Sequence, residues 1–162
     1  MSRLKIKIIT LIHPYTKFDN YQEEIEWIVT HERRNNFIKK LALDLSGNTL
    51  VLFNYVEKHG EPLYDMINNS ASTGRKVFLV HGGVETKDRE EIRSITENED
   101  NAIIVASYGT FSTGINIKRL HNIIFASPSK SRVRNLQSIG RVLRKGENKN
   151  EAILYDLSLI HI

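Results

Sequence analysis

Three short runs decide most of what this chain can fold into: Thr49-Leu50-Val51-Leu52-Phe53, Ala102-Ile103-Ile104-Val105-Ala106 and Asn122-Ile123-Ile124-Phe125-Ala126. They are apolar almost throughout and do not alternate with polar residues. Strands of this kind are buried on both sides, as in a parallel sheet covered by helices above and below. The intervening segments supply those helices. Residues 21–30 read as a short helix with Ile25, Ile28 and Val29 inward, and residues 33–45 as a second with Phe37, Ile38, Leu41, Ala42 and Leu45 at helical spacing. Ser46-Gly47-Asn48 is a turn. Residues 56–68 read as a helix with Pro62 as an irregularity inside it, and residues 86–97 and 131–143 as two more. Further strands are expected at 4–12, 76–80 and 152–155. Strand and helix alternate along the chain, so the expected class is α/β, a parallel β-sheet flanked by helices on both faces.

A chain of 162 residues suits one domain with a sizeable core, and 40% hydrophobic with 26% charged residues is ordinary for a globular protein. No apolar run is long enough to span a membrane, and no membrane partner is expected. The absence of cysteine excludes disulfides and cysteine-based zinc sites and agrees with a cytoplasmic location. Six histidines are scattered without a ligand pair at helical spacing, so no metal site is expected. The net charge of +4 is unevenly placed: residues 118–149 hold nine Lys/Arg against the single acidic Glu147. Such a segment is either a solvated surface or a face for a polyphosphate.

The chemistry concentrates in Gln137-Ser138-Ile139-Gly140-Arg141-Val142-Leu143-Arg144. On a helix Gln137, Arg141 and Arg144 fall at i, i+4 and i+7, hence on one side. Two planar guanidiniums and an amide held together suit a polyanion, above all a nucleoside triphosphate. A basic helix end favoured by the helix dipole is the plainer alternative.

The Q-x-x-G-R-x-x-R pattern resembles the last motif of the superfamily 2 helicases. Upstream, the strand at 102–106 runs into Ser107-Tyr108-Gly109-Thr110-Phe111-Ser112-Thr113-Gly114-Ile115-Asn116, which resembles motif V of the same family. Residues 49–55 are similar to motif IV, a strand running into a nucleic-acid-facing loop. The wording of the two later motifs is most similar to phage helicases of recombination and replication restart. The resemblance implies the second RecA-like domain of an ATP-dependent DNA helicase over residues 20–156, preceded by a strand and connection at 1–19. Residues 157–162, Leu-Ser-Leu-Ile-His-Ile, can be encoded by a sequence resembling a transposon-library adaptor, and are expected to be a foreign tail.

By that resemblance Arg141 and Arg144 are catalytic arginine fingers, and Gln137, Gly114 and Asn116 face ATP. Asn116 departs from the family's frequent Asp: it can bond a ribose hydroxyl but brings no charge. Asn54, Gly82, Ser107, Tyr108 and Thr110 would contact nucleic acid. Gly82 is equally readable as part of a tight turn, and residues 114–116 as an Asx-type turn. No G-x-x-x-x-G-K-[ST] loop and no Asp-Glu pair after an apolar strand occurs. In the family both belong to the first RecA-like domain. ATP and Mg are therefore expected to be bound mainly by that partner domain, and this chain alone is expected not to hydrolyse ATP. The expected nucleic-acid partner is single-stranded or branched DNA. An RNA helicase, a restriction-type translocase half and a binding module without ATPase activity are the alternatives.

Overall fold

The computed structural model describes residues 3–10, 17–82, 90, 92–94, 97–110, 120–129, 135–137, 139 and 151–157. Six strands form one sheet: β1 (Arg3–Ile8), β2 (Asn48–Phe53), β3 (Val77–Val80), β4 (Ile103–Ser107), β5 (Leu120–Phe125) and β6 (Glu151–Asp156). Their order is β1-β6-β5-β2-β4-β3, and every pairing is parallel. The three apolar runs lie side by side as β5, β2 and β4 in the middle, where both faces are covered.

Alternation along the strands divides the core in two. Val51, Phe53, Ile103, Val105, Ile124 and Ala126 face one side, where they meet Ile38 and Ala42 of α2 (Glu32–Asp44) and Leu63 and Ile67 of α3 (Glu61–Ser70). Leu50, Leu52, Ile104, Ala106, Ile123 and Phe125 face the other, under Ile139 with Ile92 and Leu136. Ile92, Leu136 and Ile139 are all helical, so helices lie on both faces as the sequence implies.

Local chemistry explains the helix ends. The Asn20 side chain accepts from the Glu23 amide at the start of α1 (Tyr21–Thr30), while the Glu23 carboxylate reaches back to the Asp19 amide. Ile25, Ile28 and Val29 of α1 are buried. The expected single helix over 56–68 is instead two pieces. Val56–Gly60 is a π-helical turn, and α3 begins at Glu61 with Pro62 in its first turn. Proline is no irregularity there, because an amide in the first turn has no intrahelical partner to lose. Gly60 is set by close approach: a Cβ would lie 2.4 Å from the Phe53 ring.

Candidate nucleic-acid and nucleotide interface

Because all six strands are parallel, the segments that follow them emerge at one edge. Asn54 follows β2, His81-Gly82 follows β3, Ser107 ends β4, Ser127 to Ser129 follow β5 and Leu157 follows β6. The structure thus gathers four of the residues expected to contact nucleic acid with the buried residues beneath them.

Asn54 is exposed, yet pinned twice to the neighbouring loop. Its amide donates to Ser127 Oγ at 3.0 Å, and its Nδ2 donates to the Pro128 carbonyl at 2.8 Å. The second Nδ2 hydrogen and Oδ1 are what this side chain can offer a ligand. Ser107 and Thr110 are brought together: Ser107 Oγ donates to Thr110 Oγ1 at 2.6 Å and accepts from the Thr110 amide at 3.2 Å. That second bond has the geometry of a helix N-cap and fixes the turn leaving β4.

Tyr108 lies differently from what a stacking residue needs. It is only 7% exposed, packs edge-on against Phe125 and donates its hydroxyl to the Ser127 carbonyl. Its ring is committed to the core, with no face open to a base. Burial, then the nearby Asp156 carboxylate, push its hydroxyl well above the ordinary tyrosine range, opposed by Arg34. Gly82 is exposed, and a Cβ there would meet nothing within 4 Å, so the domain itself imposes no glycine at this position.

Gln137 is exposed on a helical stretch whose Ile139 is buried, which turns the amide away from the core. Arg141, Arg144, Gly114 and Asn116 lie outside the described residues. Among the described residues no group of three His, Cys, Asp or Glu side chains could hold a metal. They also form no phosphate cradle of the kind a strand-loop-helix motif supplies.

Beneath the edge lies a polar cluster that the sequence reading passed over. His59 Nδ1 is 2.6 Å from Ser127 Oγ, and its Nε2 is 3.0 Å from Asn35 Oδ1. Asn35 donates its Nδ2 to the Val29 carbonyl at 2.9 Å, which fixes its amide orientation. His59 Nε2 must therefore carry the proton, leaving Nδ1 to accept from the Ser127 hydroxyl. Burial, and then the charge of Arg34, push the His59 imidazole down to about 3, so it is neutral at ordinary pH. Arg34 donates Nη2 to the Leu157 carbonyl at 2.7 Å, while its Nη1 is buried without a hydrogen-bond partner among the described residues. Burial lowers this guanidinium to about 10, partly offset by Tyr108. Nothing local in the sequence marks these residues. His59 and Ser127 are 68 positions apart, and only the sheet order brings them together.

Leu157, the first residue of the segment read as a foreign tail, is buried in the α2–α3 side of the core. Its amide donates to the Phe125 carbonyl. Residues 158–162 lie outside the described residues.

Residues 33–146 match the family described as the helicase conserved C-terminal domain. The chain belongs to that family. This helicase domain is 42% identical to the ATP-dependent DNA helicase UvsW of Enterobacteria phage T4, over 97% of this chain and 32% of that protein. It is 29% identical to a putative ATP-dependent RNA helicase of Acanthamoeba polyphaga mimivirus, over 96% of this chain and 28% of the relative. The chain thus spans about a third of the length of these curated relatives. The crystal structure of T4 UvsW superposes with a TM-score of 0.82, covering 94% of this chain and 32% of that one. The E. coli DEAD-box protein SrmB superposes at 0.58 with 18% identity, covering 77% of this chain and 71% of that one, and shares the fold. The parallel sheet with helices on both faces is that of the RecA-like helicase C-terminal domains. No helix among the described residues is long and apolar enough to cross a membrane.

Proposed function

We propose that this domain serves an ATP-dependent DNA helicase or translocase acting on branched DNA. It would supply arginine fingers to ATP and hydrogen-bonding contacts to the tracked strand. The observation that carries the reading is the 42% identity to a DNA helicase across 97% of the chain, with the candidate strand-contacting residues at one sheet edge. Gln137 is exposed on its helix, and helical spacing from it carries Arg141 and Arg144 to the same side. Gly114 and Asn116 follow β4 and are assigned to the nucleotide by motif. ATP and Mg would be held mainly by the first RecA-like domain, because the described residues here make neither a cradle nor an acidic cluster.

In this mechanism the nucleotide bridges two domains. Charge spreads over the γ-phosphoryl oxygens in the transition state, and the fork-shaped cations of Arg141 and Arg144 stabilise it. Closure brings them in, and hydrolysis releases them. Asn54, Gly82, Ser107 and Thr110 would hold the strand while the cleft opens and closes. Tyr108 acts here from below, by holding the Ser127 carbonyl rather than by stacking. Such a protein would work in the cytoplasm of the cell that makes it.

The test uses the complete enzyme with Arg141→Ala and Arg144→Ala. ATP turnover is expected to fall by about 10³–10⁵ per finger, with DNA affinity within a few-fold of the parent. Equal loss of DNA affinity in both variants would instead assign the arginines to nucleic acid and leave a binding module. The mimivirus relative favours a second reading, an RNA helicase. Matched DNA and RNA strands as competitors separate the two, since only an RNA-directed site gains from the 2′-hydroxyl.

A further inference from the structure

Every polar atom of Ser127 is engaged, and each bond goes to a different part of the domain. Its hydroxyl donates to His59 Nδ1 and accepts from the Asn54 amide. Its carbonyl accepts from the Tyr108 hydroxyl in the turn after β4, and its amide donates to the Leu52 carbonyl of β2 at 3.4 Å. Two residues on, Ser129 Oγ accepts from Asn135 Nδ2 at 3.1 Å, and Asn135 is helical in the stretch that carries Gln137. The loop after β5 therefore sits between the loop assigned to the strand and the helix assigned to ATP.

We propose that Ser127, locked by His59, is a positioning residue that couples nucleic-acid contact at Asn54 to the Gln137 helix, so that strand binding sets the rate of ATP turnover. The proposal rests on the helicase reading above. Asn54 grips residues 127 and 128 together, through its amide and its side chain, so any displacement of Asn54 by a bound strand is passed to the loop. His59 resists that displacement on the opposite side of the same hydroxyl. Its own rigidity comes from Asn35 and, through it, the Val29 carbonyl at the end of α1. Only an acceptor at the position of Nδ1 lets Ser127 donate there while still accepting from Asn54. A buried, neutral imidazole provides this acceptor together with a donor at Nε2.

This geometry distinguishes two conservative replacements. Glutamine can present an N–H where Nε2 stands, keeping the Asn35 bond, but puts no acceptor near Ser127. Asparagine can present Oδ1 where Nδ1 stands, keeping the Ser127 bond and losing Asn35. The experiment measures ATP turnover of the complete enzyme with and without an oligo-dT single strand, and reads the ratio. Ser127→Ala and His59→Gln are each expected to lower that ratio about tenfold, the equivalent of one lost buried hydrogen bond, with the DNA-free rate unchanged. The double variant is expected to be no worse than either single one, because both remove the same link. His59→Asn is expected to retain a ratio at least about threefold above that of His59→Gln. A parallel fall of both rates with the ratio preserved, or equal ratios in His59→Asn and His59→Gln, overturns the coupling and makes the cluster a support of the fold. An unaltered ratio in Ser127→Ala overturns it as well. Failure of the underlying reading looks different: the unmutated enzyme itself would then show no stimulation by the strand.

Discussion

The two edges of the sheet both bury polar side chains, but they use them differently. At the edge where the strands begin, Asn48 is fully buried and bonds almost entirely to backbone: its Nδ2 donates to the Glu99 carbonyl at 2.7 Å and its Oδ1 accepts from the Ala102 amide at 2.8 Å. Arg75 likewise caps α2 by donating to the carbonyls of Leu43 and Leu45. Gly47 turns there at φ +96°, with the His121 ring 2.8 Å from where a Cβ would be. At the edge where the strands end, the link is from side chain to side chain: Asn35 to His59 to Ser127. Side-chain-to-backbone bonds close a fold whatever the neighbouring loops do. A side-chain relay holds loops relative to one another, and it works only in one tautomer and one charge state. The first edge is built for stability and the second for position.

The largest expected effect separates the edges by pH. His59 titrates near 6.5 when unfolded and at about 3 in the native domain. Between those values the unfolded chain holds a proton that the native one does not. Stability therefore falls as pH drops below about 6.5, by at most about 1.4 kcal/mol per pH unit, levels off near the native value, and is unaffected by this group above about 6.5. Denaturant midpoints measured from pH 7 to pH 4 should show the slope, and His59→Gln should flatten it. An unchanged slope in that variant would deny the buried neutral imidazole its role.

A smaller effect belongs to the other edge. Asn48→Ala leaves the Glu99 carbonyl and the Ala102 amide without their partner and should cost about 2–4 kcal/mol in chemical denaturation. In the complete enzyme it should leave the strand-stimulation ratio of ATP turnover intact at temperatures where the domain is folded. A fall in that ratio would erase the contrast between the edges. The smallest effect is at the surface. Lys58–Glu26, a 3.1 Å ion pair with both side chains about half exposed, should contribute under about 1 kcal/mol, and a double-mutant cycle in low and high salt would sharpen that limit.

Much of the architecture was legible from local pattern. The three apolar runs became β2, β4 and β5, and the helical spacing of residues 21–30 and 33–45 found α1 and α2 to within a residue. The break at Gly60 was not legible, because nothing nearby announces that the Phe53 ring leaves no room for a side chain. The motif residues were legible by chemistry and spacing, with Asn54, Ser107 and Thr110 at the shared edge. Tyr108 shows the limit of that method. An aromatic residue in a motif loop can as well face the core as a base, and the difference lies in Phe125, 17 positions away.

The sequence by itself determined the fold class and the family, since periodicity is set by near neighbours and the arginine motif is a local spacing. Only the tertiary structure decided which loops touch. Placing β2 between β5 and β4 carries Asn54 onto Ser127 and Pro128, and His59 onto Ser127, across more than sixty residues of chain. Hydrogen-bond partners and burial at that range follow from strand order, a property of the whole sheet that no single segment encodes.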